Sequence, residues 1–214
     1  MGSVWAIVVA GGGGTRFGGP KQFEDLGGRR VLDWSLAAAR EACDGVVLVV
    51  PADHVAGEEG PLVVAGGATR SASVRAGLAA VPDDVEVVVV HDAARPLAGA
   101  DLFRRTVAAV RAGADAAVPG LPVTDTVKRV EDGRVLETVD RSRLVAVQTP
   151  QAFRADGLRR AHAQGVGAEA TDDAALVESL GGTVVVVDGD PRNLKLTSPD
   201  DLVVARALLG MADR

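Results

Sequence analysis

The 214-residue chain has no tyrosine, one cysteine and only 3% aromatic residues. A lone Cys43 excludes an internal disulfide framework and any multi-cysteine metal site. It falls in an alanine-rich helical stretch, where a small buried apolar residue is the simplest reading. With so few aromatics, the core must be assembled from Val, Ala and Leu, a composition that suits parallel sheets covered by helices on both faces. Excess positive charge is also missing. The net charge is -6 and no basic stripe occurs, which argues against nucleic acid or a membrane surface as partner. Residues 4–10 are apolar, but the run is far too short to span a bilayer and leads straight into glycines. No targeting segment is recognisable, so a cytoplasmic protein is expected.

The chain does have apolar material, with 47% hydrophobic residues. Val4–Val9, Val46–Val50, Leu62–Ala65, Val85–Val90, Ala116–Val118, Val145–Val147 and Val184–Val187 read as buried strands, being short, rich in β-branched residues and bounded by turn formers. Helical patterns fall between them, at Val31–Cys43, Ser71–Val81, Asp101–Ala112, Ala155–Gln164 and Asp172–Leu180. A last helix is expected at Pro199–Leu209, with Ser198 as N-cap and Pro199 at its first position. Such alternation means βαβ units, a mostly parallel Rossmann-like sheet and a three-layer αβα domain spanning 1–214. Residues 123–141 break the rhythm. Two polar alternating segments flank Asp132-Gly133, a two-residue hairpin signal, and predict an arm projecting from the sheet.

Three polar constellations follow predicted strands. From Gly11 to Gly19, six of nine residues are glycine, and Arg16 and Lys21 add two cations. Glycines let the backbone approach a ligand closely, and the N–H groups of such a loop point at phosphate oxygens. A dinucleotide fingerprint is excluded because no acidic residue closes a second strand at the required distance, and a P-loop because no Gly-Lys-Ser/Thr opens the next helix. The second constellation is a glycine turn, Gly66-Gly67, running into a helix that carries Ser71 and Ser73. The third is His91-Asp92-Ala93-Ala94-Arg95-Pro96, at the carboxyl end of a strand, where open α/β sheets bind ligands. Taken alone, Asp92 could be a helix cap and His91 a core histidine. His54 and His162 lie in polar stretches and read as surface residues.

Eight motifs occur in order. They are the run from Ala10 to Arg16, Pro20-Lys21-Gln22, the turn from Gly66 through Arg70 to Ser73-Val74, and His91–Pro96. Asp125–Arg129, Thr138–Arg141, Thr149–Phe153 and Asn193–Thr197 complete the series. Together they resemble the 2-C-methyl-D-erythritol 4-phosphate cytidylyltransferases of isoprenoid biosynthesis, from about residue 4 to residue 209. The resemblance implies a nucleotide-diphospho-sugar transferase type of fold and transfer of CMP from CTP to an alditol phosphate, with Mg²⁺ or another divalent cation. It implies Arg16 and Lys21 as transition-state cations, with Arg141 and Lys195 as further catalytic groups. It implies Ala10, Gly11, Gly12, Gly14, Gly67 and Ser73 around the nucleotide, and Asp92, Arg95, Thr126, Thr149 and Thr171 around the second substrate. Asp92 is also the candidate metal contact; its alternative role is to orient Arg95 or substrate hydroxyls. A homodimer is implied in which the arm lends Thr126 and Arg141 to the partner's site. Two features depart from the family pattern: a shorter spacing between Arg16 and Lys21, and Ala68 where an acidic residue is common. Ribitol 5-phosphate or another polyol phosphate as substrate, a molybdopterin nucleotidyltransferase, and a non-enzymatic nucleotide-binding protein remain the competing readings.

Overall fold

The computed structural model describes residues 2–12, 17–58, 62–164 and 172–212. In chain order its elements are β1 (Val4–Val9), β2 (Asp25–Leu26), β3 (Arg29–Arg30), α1 (Val31–Ala42), β4 (Gly45–Val50), β5 (Leu62–Ala65), α2 (Arg70–Ala79) and β6 (Val87–Asp92). There follow α3 (Ala100–Arg111), β7 (Ala116–Pro122), β8 (Lys128–Glu131), β9 (Arg134–Thr138), β10 (Val145–Val147) and β11 (Gln151–Arg154). The chain closes with α4 (Ala155–Gln164), α5 (Asp173–Ser179), β12 (Val184–Asp188) and α6 (Pro199–Ala212).

Among the described residues eight strands form the main sheet, in the order β10-β7-β11-β6-β1-β4-β5, with β12 also paired to β7. The pairs β1–β4, β1–β6, β4–β5 and β7–β12 are parallel, whereas β10 and β11 run antiparallel to their neighbours. Alternating side chains of the central strands enter two cores. Ala6, Val8, Val46, Leu48, Val87 and Val89 pack under Leu32, Leu36, Phe103 and Val107 of α1 and α3. Ile7, Val47, Val49, Val88 and Val90 meet Val74, Leu78, Leu158 and Val177 of α2, α4 and α5 on the opposite face. Both faces are therefore dry, which is why these strands read as unbroken valine runs rather than alternating ones. A third cluster of Leu26, Val31, Leu196, Leu202 and Ala205 seats α6 beside β2 and β3.

Several boundaries differ from the sequence reading. β6 runs through Asp92, so His91 and Asp92 end the strand instead of following it. β11 is absent from the sequence reading; its four residues Gln151–Arg154 wedge between β6 and β7 and are too few to show a period. Val145–Val147 is a strand but an exposed one, and Val186 in β12 is 54% exposed, because both lie at the rim of the sheet. Leu62, on the edge strand β5, is likewise exposed. The arm matches expectation in place. Asp132 (φ 48°) and Gly133 (φ 75°) both adopt left-handed conformations, as a type I′ turn requires. Among the described residues β8 and β9 pair only with each other, and every residue in them is exposed. Val130, Val135 and Leu136 make the arm less polar in effect than its sequence suggests.

Candidate active site

β1, β5 and β6 run parallel and end at the same edge of the sheet, and the order in which strands are added switches sides between β1 and β6. That crevice is where doubly wound sheets bind ligands. Here it holds a cavity of about 380 Å³ lined by Ala10, Gly11, Gly12, Lys21, Gln22, Gly67, Arg70, Ser73, Asp92 and Lys195. A smaller adjoining cavity of about 190 Å³ is lined by Arg95, Thr149 and Gln151, and shares Arg70, Asp92 and Lys195 with the first. The larger one lies within the size range of small-molecule sites, about 300–1,000 Å³.

The glycine turns are held by side chains. Gln22 is 4% exposed, and its Nε2 donates to the Ala10 carbonyl at 2.8 Å and the Gly12 carbonyl at 3.1 Å. This clamp fixes the backbone on either side of Gly11 and ties it to Lys21. At the second turn Gly67 N–H donates to Ser73 Oγ at 3.2 Å, and Thr69 caps α2 by accepting from Ala72 N–H at 3.1 Å. A Cβ on Gly67 would stand 2.5 Å from the Ala72 Cβ, so only glycine allows the turn to lie against the helix.

Asp92 is the electrostatic centre. Its Oδ1 accepts from Arg70 Nε at 3.0 Å and its Oδ2 from Lys195 Nζ at 2.7 Å. Burial alone would raise its pKa; the Arg70 and Lys195 charges outweigh burial and hold the carboxyl well below the usual range. Asp92 forms no hydrogen bond with Arg95, one of the two partners its alternative role named, and acts on it only through charge. The Arg95 guanidinium donates instead to the Asn193 carbonyl at 2.8 Å and the Val147 carbonyl at 3.4 Å. Thr149 seats the strand end, its Oγ1 accepting from Asp92 N–H at 3.0 Å and lying 3.1 Å from His91 Nδ1. Lys195 lies in an extended loop, where Leu196 N–H donates to the Ala94 carbonyl at 2.8 Å in place of a strand ladder. Leu196, fully buried, and Leu194 turn into the third cluster, which leaves Lys195 facing the cavity.

His91 is fully buried, and burial pushes its imidazole down to about 4. It is a neutral core histidine. Its folded pKa is depressed, so the stability it confers is complete above about 6.5 and is lost as pH falls toward 4. On this account unfolding free energy drops by on the order of 3 kcal/mol between those pH values. Chemical denaturation should show the drop in the native protein and a flatter profile in His91→Asn, whose amide can still reach Thr149.

Of the expected site residues, Ala10, Gly11, Gly12, Lys21, Gly67, Ser73, Asp92, Arg95, Thr149 and Lys195 converge on the two cavities. Gly14, Arg16 and Thr171 lie outside the described residues. Thr126 and Arg141 line neither cavity; both are exposed near the arm, where Arg141 Nη1 donates to the Thr124 carbonyl. Sequence reasoning misses Gln22 and Arg70, although both stand inside quoted motifs. Their signal is a polar side chain next to a glycine turn. His162 is no surface residue: it is 2% exposed on the apolar face of α4, paired with Asp173. His54 is half-buried, stacked on Phe23 with ring centroids 4.1 Å apart. Cys43 is half-buried at the end of α1, and burial pushes its thiol up to about 12.

Among the described residues no cluster of three or more His, Cys, Asp or Glu could cage a metal ion. Glycine turns and placed cations at the carboxyl ends of parallel strands define a nucleotide-binding α/β enzyme. Comparison with known proteins narrows this. The family model for 2-C-methyl-D-erythritol 4-phosphate cytidylyltransferase matches residues 4–211. The enzyme of that name from Rhodococcus opacus is 50% identical over 218 residues, covering 97% of this chain and 96% of its own. The crystal structure of the Thermus thermophilus enzyme of that name superposes with a TM-score of 0.81 at 39% identity, covering 95% and 98% of the two chains. That of 4-diphosphocytidyl-2C-methyl-D-erythritol synthase from Anaerococcus prevotii gives 0.84 at 31% identity, covering 98% and 99%. The chain belongs to the 2-C-methyl-D-erythritol 4-phosphate cytidylyltransferase family.

Proposed function

We propose that the protein transfers CMP from CTP to 2-C-methyl-D-erythritol 4-phosphate, releasing pyrophosphate. The observation that carries this reading is the meeting of two cavities at one charged trio, Arg70, Asp92 and Lys195. CTP occupies the larger cavity, against the glycine turns and Lys21. The alditol phosphate occupies the smaller, beside Arg95 and Thr149. A phosphate oxygen then attacks the α-phosphorus, the bond to the β-phosphate oxygen breaks, and the charge stays on phosphate throughout. No proton needs to move, so no general base is required, in keeping with a neutral, buried His91. The work left to the protein is positioning and charge stabilisation, by Lys21, Lys195 and Arg16.

Mg²⁺ fits as an ion carried by the triphosphate, with Asp92 as the carboxylate at the cavity wall, since this hard ion prefers phosphate oxygens and water to an all-protein cage. It would supply further neutralisation of phosphate charge. Cytosine is read by backbone groups of the two glycine turns. Because Gln22 already occupies the Ala10 and Gly12 carbonyls, their positions are set before the base arrives. Both substrates are anions that do not cross membranes unaided, which supports a cytoplasmic location.

Pyrophosphate release with CTP and this alditol phosphate tests the reading. Faster turnover with ribitol 5-phosphate would replace the substrate, and comparable kcat/KM with UTP would overturn cytosine recognition.

The arm supports a homodimer. An isolated two-stranded hairpin is marginal in water, and this one exposes Val130, Val135 and Leu136. In the proposed dimer it carries Thr126 and Arg141 to the partner's site. Lys21→Ala and Arg141→Ala subunits should then complement each other. Random exchange makes about half the dimers mixed, each with one intact site, so roughly a quarter of all sites recover under two-fold symmetry. Activity that stays at the sum of the parents after proven exchange would place Arg141 in its own chain's site or outside the chemistry.

A further inference from the structure

Asp173 opens α5 and is 1% exposed. Its oxygens are divided between two partners, Oδ1 to His162 Nε2 at 2.9 Å and Oδ2 to Arg70 Nη1 at 2.7 Å. Arg70 Nε continues to Asp92, and Asp92 to Lys195. A continuous line of ionisable side chains thus runs from the α4–α5 layer to the junction of the two cavities. Asp173 and His162 line neither of those cavities and take no part in the reaction described above.

A buried carboxylate is costly and needs partners. Burial alone would raise the pKa of Asp173; the His162 hydrogen bond and the Arg70 charge outweigh it and keep the group anionic. Arg70 is long and 30% exposed at its side chain, so one contact would leave it free to swing into solvent. Two anchors, at Nε and Nη1, fix the plane of its guanidinium. That plane in turn holds Asp92 Oδ1 and turns Oδ2 toward Lys195.

We propose that Asp173, held by His162, is a positioning residue that locks Arg70 against Asp92 and thereby places Lys195 where the two substrates meet. The inference rests on the cytidylyl-transfer reading for its kinetic consequence but not for its geometry. Displacing a positioned group by about 1 Å can cost about 100-fold in rate. Asp173→Asn should therefore lower kcat by about 10- to 100-fold while the KM for CTP stays within about 3-fold. Arg70→Gln should lower kcat comparably, and the double variant should be no worse than Arg70→Gln alone. Effects that multiply would overturn the proposal, because independent structural damage adds in free energy. His162→Leu should lower kcat as well. His162→Gln, whose Nε2 can reach the same oxygen, should restore most of it; failure of that rescue while the fold is intact would also count against the proposal. Crystal structures read the geometry without turnover. In Asp173→Asn the Arg70 guanidinium should leave Asp92 Oδ1. If Arg70 and Asp92 keep their places, the proposal fails whatever the activity. A wild-type protein that releases no pyrophosphate would instead overturn the activity reading alone.

Discussion

Lys21→Ala lowers kcat by about 10²–10³-fold and leaves the KM for CTP within a few-fold. The expectation comes from how Lys21 is mounted. It begins a 3-10 turn, Lys21–Phe23, whose middle residue is the buried Gln22. Gln22, a neighbouring side chain, clamps the carbonyls of Ala10 and Gly12 to the turn, and that clamp is untouched by the substitution. What disappears is a cation at the wall of the larger cavity, where charge moves toward the leaving pyrophosphate. A group that acts on charge developing in the transition state shows in kcat more than in substrate affinity. Steady-state kinetics at saturating alditol phosphate decide the matter. A loss confined to KM would mean that Lys21 only holds the nucleotide.

Asp92→Asn damages activity and stability together. The carboxylate is 8% exposed and answers two cations. Its amide replacement leaves Arg70 with Asp173 alone and Lys195 without the anion it contacts here. Breaking a fully buried pair costs about 3–5 kcal/mol. The Lys195 side chain is 44% exposed, so part of that cost is relieved by water and about 2–3 kcal/mol remains. For a chain of this size that is roughly 5–10 °C in Tm. The rate falls by about 100-fold or more, because the trio shared by both cavities loses its organising charge. Unchanged Tm with lost activity would mean that Asp92 meets substrate or metal and does not brace its neighbours.

The valine runs exposed the sheet because strands dry on both faces leave no alternation to confuse. The polar hairpin showed itself through Asp132-Gly133, the residue pair that tolerates two left-handed conformations. β11 stayed hidden, since its four residues owe their strand state to β6 and β7 on either side and not to their own pattern. The same holds within the site. Lys21, Asp92 and Lys195 could be named from motifs, each being chemically conspicuous next to a strand end or a glycine turn. Gln22 and Arg70 act on other protein atoms, and the sequence carries no sign of which atoms those are. His162 misled because a histidine among Arg159, Arg160 and Gln164 looks solvated; only the packing of α4 on α5 brings Asp173 to it.

The Asp92–Lys195 contact joins residues 103 positions apart, and the glycine turn it faces begins near residue 10. The site therefore cannot be complete until residue 195 has been synthesised. During synthesis the ribosome releases the glycine turn, the strand bearing Asp92 and most of the sheet long before Lys195 emerges. A nascent chain at that stage has Arg70 to answer one oxygen of Asp92 but lacks the Lys195 ammonium that answers the other. The charged trio is complete only once the loop carrying Lys195 has docked through Leu196.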